Sequence, residues 1–152
     1  MPDQPPRARI ALRLEAVDPF DLDALVAASR ALYADEGVPS PPERSLRIHL
    51  HRRLLGEARA ALFRTPPEAA PVAFALWAPR GEAVRIEQFR VVPELRRRGW
   101  GRHCVEALLG GPLAGAPRVE VRVLADNRAA IAFWRALGFG AERRALAVLP
   151  GP

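Results

Sequence analysis

A strand-like run, a basic turn bearing two glycines and a helix-like run, met in that order, constrain this chain more than any other stretch. Ile86 to Val92 has strand character, Arg96-Arg97-Arg98-Gly99-Trp100-Gly101 breaks it, and Arg102 to Leu109 carries helical spacing. The first turn of a helix leaves backbone N–H groups unpaired, and the summed peptide dipole makes that end partly positive. Such a junction is an anion site, with phosphate oxygens as natural partners. Gly99 and Gly101 carry no Cβ, so the backbone there can take unusual dihedrals and a ligand can approach the N–H groups closely. Gly110-Gly111-Pro112 and Gly115-Ala116-Pro117 then form a loop before a strand from Val119 to Leu124. Strand, turn, helix and strand make a βαβ crossover with a parallel pair.

The remaining elements group around that crossover. Met1 to Arg7 is a proline-rich lead-in expected to be flexible, and Arg9 to Leu14 alternates like a strand. Asp18-Pro19 is expected to start a helix as N-cap and first helical residue, with Leu22, Leu25, Val26, Ser29, Leu32 and Tyr33 on one face and Gly37 at its end. Ser40-Pro41-Pro42-Glu43 has the pattern of a capping box that opens a second helix to about Leu55. Ala58 to Arg64, Val72 to Ala78 and Ala83 to Val92 are strands joined by the turn formers Thr65-Pro66-Pro67-Glu68 and Pro79-Arg80-Gly81-Glu82, which implies an antiparallel meander. Asp126-Asn127 caps a last helix with Ala130, Ile131, Trp134 and Leu137 on one face, Gly138 stops it, and Phe139 to Leu149 supplies one or two closing strands. The expected fold is α/β, a mixed antiparallel and parallel sheet flanked by helices, in a single domain over residues 1–152.

Composition removes several function classes. The formal charge is +6, yet every basic residue is arginine, lysine is absent, and Asn127 is the only asparagine. The bias runs through the whole chain, so the charge does not by itself point to nucleic acid, and no aromatics interleave a basic groove. The single cysteine, Cys104, excludes an internal disulfide and any multi-cysteine metal site. Cys104 shares the apolar side of its helix with Val105 and Leu108 and reads as a small core residue rather than an acyl carrier. His49 and His51, two apart on a helix, point in different directions and are poor joint metal ligands, so no metal is expected. No apolar run approaches a membrane span and the charged lead-in has no signal-peptide core, so a cytoplasmic protein without a membrane partner is expected. A dinucleotide fingerprint would need glycine where Cys104 stands, and a Walker loop would need Gly-Lys-Ser/Thr.

Two segments resemble one family. Val91-Val92-Pro93-Glu94-Leu95-Arg96-Arg97-Arg98-Gly99-Trp100-Gly101 is similar to the acetyl-CoA motif of the GNAT-superfamily N-acetyltransferases, a strand ending in Val-x-Pro followed by Gln/Arg-x-x-Gly-x-Gly/Ala. Asn127 to Phe139 resembles that family's Asn-x-x-Ala-x-x-x-Tyr-x-x-x-Gly-Phe segment, downstream in the right order. The resemblance implies that backbone groups of Phe89 and Val91 bond the pantetheine arm of acetyl-CoA. It implies equally that Arg96, Arg97, Arg98, Gly99, Trp100, Gly101 and Arg102 hold the pyrophosphate, and that Asn127 and Trp134 touch the cofactor near parted strands.

The implied reaction is direct attack of a primary amine on the thioester in a ternary complex, the acceptor being a small molecule or a protein. A non-catalytic acyl-CoA-binding module on the same fold is the alternative. Glu87, four residues before Val91, is the candidate base, with a structural pair to Arg85 or Arg90 as the competing reading. Trp134 stands where the family often has a tyrosine that protonates the departing thiolate, and an indole N–H donates hydrogen bonds without being a practical acid. For Trp134 the readings of core residue and of lining for the thioester pocket stand equal. Tyr33, Asp35 and Glu36, at the end of the first helix, line an amine pocket or are simply an exposed helix end. Relatives often pair through C-terminal strands, which makes a homodimer an expectation as well.

Overall fold

The computed structural model describes residues 11–65 and 70–150. The elements run β1 (Arg13–Ala16), α1 (Asp23–Asp35), α2 (Glu43–Leu55), β2 (Arg59–Arg64), β3 (Ala73–Arg80), β4 (Ala83–Val91), α3 (Trp100–Gly110), β5 (Arg118–Leu124), α4 (Arg128–Ala136) and β6 (Arg144–Leu149). They form one sheet whose spatial order follows the sequence, β1 to β6. Strands β1 to β4 pair antiparallel, with only Gly81 and Glu82 between β3 and β4, while β4–β5 and β5–β6 are parallel across the α3 and α4 crossovers. No helix among the described residues is long and apolar enough to cross a membrane.

Each sheet face carries its own helix pair. Cys104, Val105 and Leu108 of α3 and Trp134 of α4 pack with Phe63, Ala75, Trp77, Ile86 and Val121 on one face. On the other, Leu25 and Val26 of α1 and Leu46, Leu50 and Leu54 of α2 pack with Leu62, Phe74 and Leu76. Strand β3 is covered on both faces, which is why Ala73 to Ala78 is an unbroken buried run rather than an alternating one. Cys104 is fully buried, and burial pushes its thiol up to about 12, the opposite of what a nucleophilic cysteine needs. A thiol reagent at pH 8 should find no reactive cysteine in the native protein and one after denaturation; reaction at a free-thiol rate before unfolding would contradict this packing.

Several boundaries differ from the sequence reading, among them that of β3, which runs through Pro79 and Arg80 of the expected turn. The first strand runs Arg13–Ala16 rather than Arg9–Leu14, because β2 offers its ladder there and Leu14 sits opposite Phe63; Arg9 and Ile10, the lead-in and Pro66 to Glu68 lie outside the described residues. Asp18 does not cap α1: its carboxylate accepts from the Phe20 N–H (2.8 Å) and its carbonyl from the Asp21 N–H (3.0 Å), folding a separate turn before the helix begins at Asp23. The capping box does not form either. Pro42 rather than Ser40 occupies the N-cap, which makes Glu43 the first helical residue instead of the third, so Ser40 donates to the Pro41 carbonyl and Glu43 turns to Arg30 and Arg47. Helix α3 starts at Trp100 instead of Arg102, which makes Trp100 and Gly101 its first residues. The chain closes with one strand, β6, and Phe139 and Ala141 make only isolated bridges before it.

One irregularity sits in the middle of the sheet. Leu76 pairs with Gln88 but Trp77 pairs with Ile86, so Glu87 is an extra residue bulged out of β4. The bulge resets the alternation: Ile86 and Phe89 belong to the α3–α4 core, while Glu87 and Gln88 both meet the α1–α2 layer, at Arg53 and Ser29.

Candidate active site

Strands β4 and β5 part company. Their pairing ends at Ile86–Val121, although β4 continues to Val91 and β5 to Leu124. The ladder phase on the other side of β4 decides what the gap exposes. The Val92 N–H donates to the Val72 carbonyl at 2.9 Å, so alternate residues Arg90 and Gln88 turn their backbone groups to β3. Phe89 and Val91 therefore turn theirs into the gap. The Val91 carbonyl is taken by Arg96 Nε at 2.9 Å, which leaves the Val91 N–H and both groups of Phe89 facing a cleft of about 1140 Å³.

Helix α3 aims its N-terminus at the same cleft. Its first backbone bond runs from the His103 N–H to the Gly99 carbonyl (3.2 Å), so the N–H groups of Trp100, Gly101 and Arg102 have no partner within the helix. The two glycines serve different ends. Gly99 holds φ at +83°, and a Cβ on it would meet nothing within 4 Å; Gly101 has an ordinary φ, and its Cβ would lie 2.9 Å from Phe133 Cε2. Arg97 takes φ +62°, a conformation an arginine adopts at a cost of about 1 kcal/mol.

Charge is arranged unevenly around the loop. Among the described residues, Arg97 and Arg98 have no carboxylate partner, whereas Arg96 donates to Asp35 at 2.6 Å and Arg90 donates to the same carboxylate oxygen at 2.7 Å. Burial works to raise the Asp35 carboxyl, but the hydrogen bonds and charges of Arg90 and Arg96 outweigh it and hold the group below its ordinary value of 3.8. A lowered carboxyl contributes stability above its unfolded value, and that contribution is lost as pH falls through the lower folded value. Asp35→Asn should therefore lower the melting temperature at pH 7, with the deficit closing as both proteins are taken well below pH 3.8. A deficit unchanged at low pH would assign it to packing instead. Burial, with the Asp35 charge second, raises the neighbouring Glu36 carboxyl.

Most of the expected site residues meet in this cleft. Glu87, Phe89, Val91, Arg96, Arg97, Gly99, Gly101, Arg102, Asn127 and Trp134 line it, and Arg98 and Trp100 do not. The Trp100 indole packs half-buried on the core, and Arg102 reaches the Ala136 carbonyl (3.2 Å) and Glu106 (3.7 Å), bracing α3 to α4. Asn127 Oδ1 caps α4 by accepting from the Ala130 N–H at 3.1 Å. Trp134 is buried in a box of rings with centroids 5.6 Å from Phe89, 5.0 Å from Phe133 and 5.0 Å from Phe139, so it is both a core residue and cleft lining.

Glu87 pairs with neither Arg85 nor Arg90. Arg85 bonds Glu120 across the β4–β5 ladder, Arg90 bonds Asp35, and Glu87 receives both arms of Arg53 from α2 at 2.8 Å each. Sequence reasoning missed Arg53 and Gln88. The one available signal was Ser29, a hydroxyl in an apolar helical stripe, where burial requires a distant partner. A second hollow of about 770 Å³ lies at the opposite end of β5, lined by Leu113 to Val119 and by Glu142 to Arg144 among others, with no helix N-terminus facing it.

A βαβ crossover with parted parallel strands and an unsatisfied helix N-terminus at the gap makes a cleft with backbone donors for an extended ligand that is anionic at one end. The sequence profile of the acetyltransferase (GNAT) family matches residues 26–139, and the chain belongs to that family. No curated protein sequence matches the chain. Among solved structures, an aminoglycoside N-acetyltransferase, AAC(6')-Iy, in complex with CoA is similar with a TM-score of 0.69 at 16% identity, over 88% of this chain and 91% of that one. The ribosomal-protein-S18-alanine N-acetyltransferase from Escherichia coli gives 0.67 at 20% identity, over 86% and 79%. An aminoglycoside acetyltransferase from an uncultured soil metagenomic sample gives 0.68 at 18%, over 88% and 91%. The activity class is acetyl transfer from a CoA donor.

Proposed function

We propose that this acetyltransferase moves the acetyl group of acetyl-CoA to a primary amine by direct attack in a ternary complex. The observation that carries the reading is the gap between β4 and β5, closed at one end by the Ile86–Val121 pair and facing the free N–H groups of α3 at the other. When bound, acetyl-CoA supplies the activated acyl group. Phe89 and Val91 bond its pantetheine arm, the amides from Gly99 to Arg102 with Arg96 and Arg97 hold its pyrophosphate, and Asn127 meets it at the mouth. The Phe89 or Val91 N–H is placed to stabilise the oxyanion. Structural relatives named for an aminoglycoside and for a ribosomal-protein alanine support an amine acceptor.

Glu87 is the base. Both its oxygens hold Arg53, yet a carboxylate has about four lone-pair directions, so each oxygen retains the capacity to accept from an ammonium N–H. No tyrosine, histidine, cysteine or lysine is among the described residues lining the cleft, so the thiolate takes its proton from the acceptor or from water. Trp134→Tyr should then raise kcat about tenfold and add an alkaline fall to the rate near pH 10, where a tyrosine deprotonates. An unchanged rate would remove that role from position 134. The Trp134 substitution also favours a second reading, a binding module without turnover. Thiol release from acetyl-CoA over a panel of amines separates the two, release with any amine supporting the enzyme.

A further inference from the structure

Ser29 is the one buried polar residue among those described, with no solvent exposure at all. It sits in the middle of α1, among Leu25, Val26 and other apolar side chains, and its hydroxyl donates to Gln88 Oε1 at 3.1 Å. A hydroxyl in that position needs a partner, and it has taken the carbonyl end of a side chain 59 residues away. The consequence falls on the other end of the amide. Gln88 Nε2 has no protein partner, and no described buried side-chain nitrogen or oxygen is left without one, so Nε2 reaches solvent. The solvent beside Gln88 is the cleft it lines.

The bulge at Glu87 decides which side of β4 that donor serves. Phe89 and Val91 belong to the core under α3 and α4, the side from which the pyrophosphate cradle opens. Glu87 and Gln88 face α1 and α2 instead. With the cofactor cradled from the α3 side, the side of the cleft left open to an acceptor amine is the one lined by Glu87 and Gln88.

From this placement we infer that Gln88 is a specificity-determining residue: its fixed Nε2–H2 group grips an oxygen acceptor, carbonyl or hydroxyl, on the carbon next to the one that bears the reacting amine. Ser29 is a positioning residue that holds the amide in the donor-outward orientation. Glu87 takes the ammonium proton and Gln88 the neighbouring oxygen, so the substrates are amines of the amino-amide or amino-alcohol kind rather than plain alkylamines. This rests on the acetyltransferase reading above and names the acceptor class of that site.

The test follows the Gln88 side-chain amide by nuclear magnetic resonance in CoA-saturated protein, its signals assigned by their loss in Gln88→Leu. Glycinamide, ethanolamine and n-propylamine, three small primary amines, are titrated in turn. The expected result is a saturable shift of the Gln88 signals with glycinamide or ethanolamine and none with n-propylamine, the two oxygen-bearing amines telling carbonyl from hydroxyl. Movement with none of the three, or equal movement with all, would overturn the inference. In turnover, the wild-type preference for the oxygen-bearing amine over n-propylamine should fall about tenfold in Gln88→Leu, through KM rather than kcat, and severalfold in Ser29→Ala. A preference untouched by Ser29→Ala would deny Ser29 its role. Failure of CoA to bind the wild-type protein in calorimetry would sink the acetyltransferase reading itself and is recognised separately.

Discussion

Replacing Gly101 by valine should cost about two orders of magnitude in CoA affinity. A Cβ on Gly101 would lie 2.9 Å from Phe133 Cε2 and 3.1 Å from Cζ, closer than packed carbons come. Phe133 cannot simply swing aside, because it stacks on Phe89 at 5.9 Å and meets the Trp134 edge at 5.0 Å. The first turn of α3 must move instead, and it carries the N–H groups that face the cleft. Overpacking of this kind costs about 1–3 kcal/mol in stability, and displaced donors no longer converge on one pyrophosphate. Gly99→Ala is the control. Its added methyl meets nothing within 4 Å, so it strains the φ of +83° without pushing the helix, and it should weaken CoA severalfold at most. Calorimetric titration of CoA into each variant, with melting temperatures alongside, checks both; equal losses for the two would contradict the distinct roles.

Glu87→Gln should lower kcat about 100-fold while leaving CoA affinity within twofold of wild type. Glutamine keeps the shape and can still accept one arm of Arg53, but it cannot take a proton from the acceptor, and a positioned base contributes about 10²–10⁴ in rate. The half-buried Arg53 loses its counter-charge, so a drop in melting temperature accompanies the loss of rate. Arg53→Met separates the two effects. It should lower stability comparably and leave a measurable rate, since the carboxylate remains. Glu87→Gln with unchanged kcat would assign Glu87 to the structural pair alone.

Much of this was legible in local pattern, and what was missed depends on distant partners. The strand, turn and helix around Gly99 are set by short-range chemistry, and so is the N-cap at Asn127. Helix starts failed where a cap residue had a competitor: Asp18 closes its own turn with Phe20, and Pro42 takes the N-cap in place of Ser40. The roles of the glycines divide in three dimensions only, because Phe133 lies 32 residues beyond Gly101 in the chain and sequence spacing does not bring them together. The same holds for Glu87. Arg85 and Arg90 are its neighbours in sequence, but each has a partner across a strand or a helix end, and the bulge turns Glu87 to Arg53. No periodicity announces a bulge, so Glu87 was legible as a candidate base, but its turn together with Gln88 toward α1 and α2 was not.

The central claim is that the parted strands and the α3 N-terminus hold CoA. Titration of CoA into ¹⁵N-labelled protein reads it directly at the backbone amides. The account predicts saturable shifts concentrated at Phe89, Val91, Gly99, Gly101 and Arg102, with Leu113 to Val119 at the far end of β5 unmoved. No shift at millimolar CoA, or shifts centred on that far hollow, would contradict it.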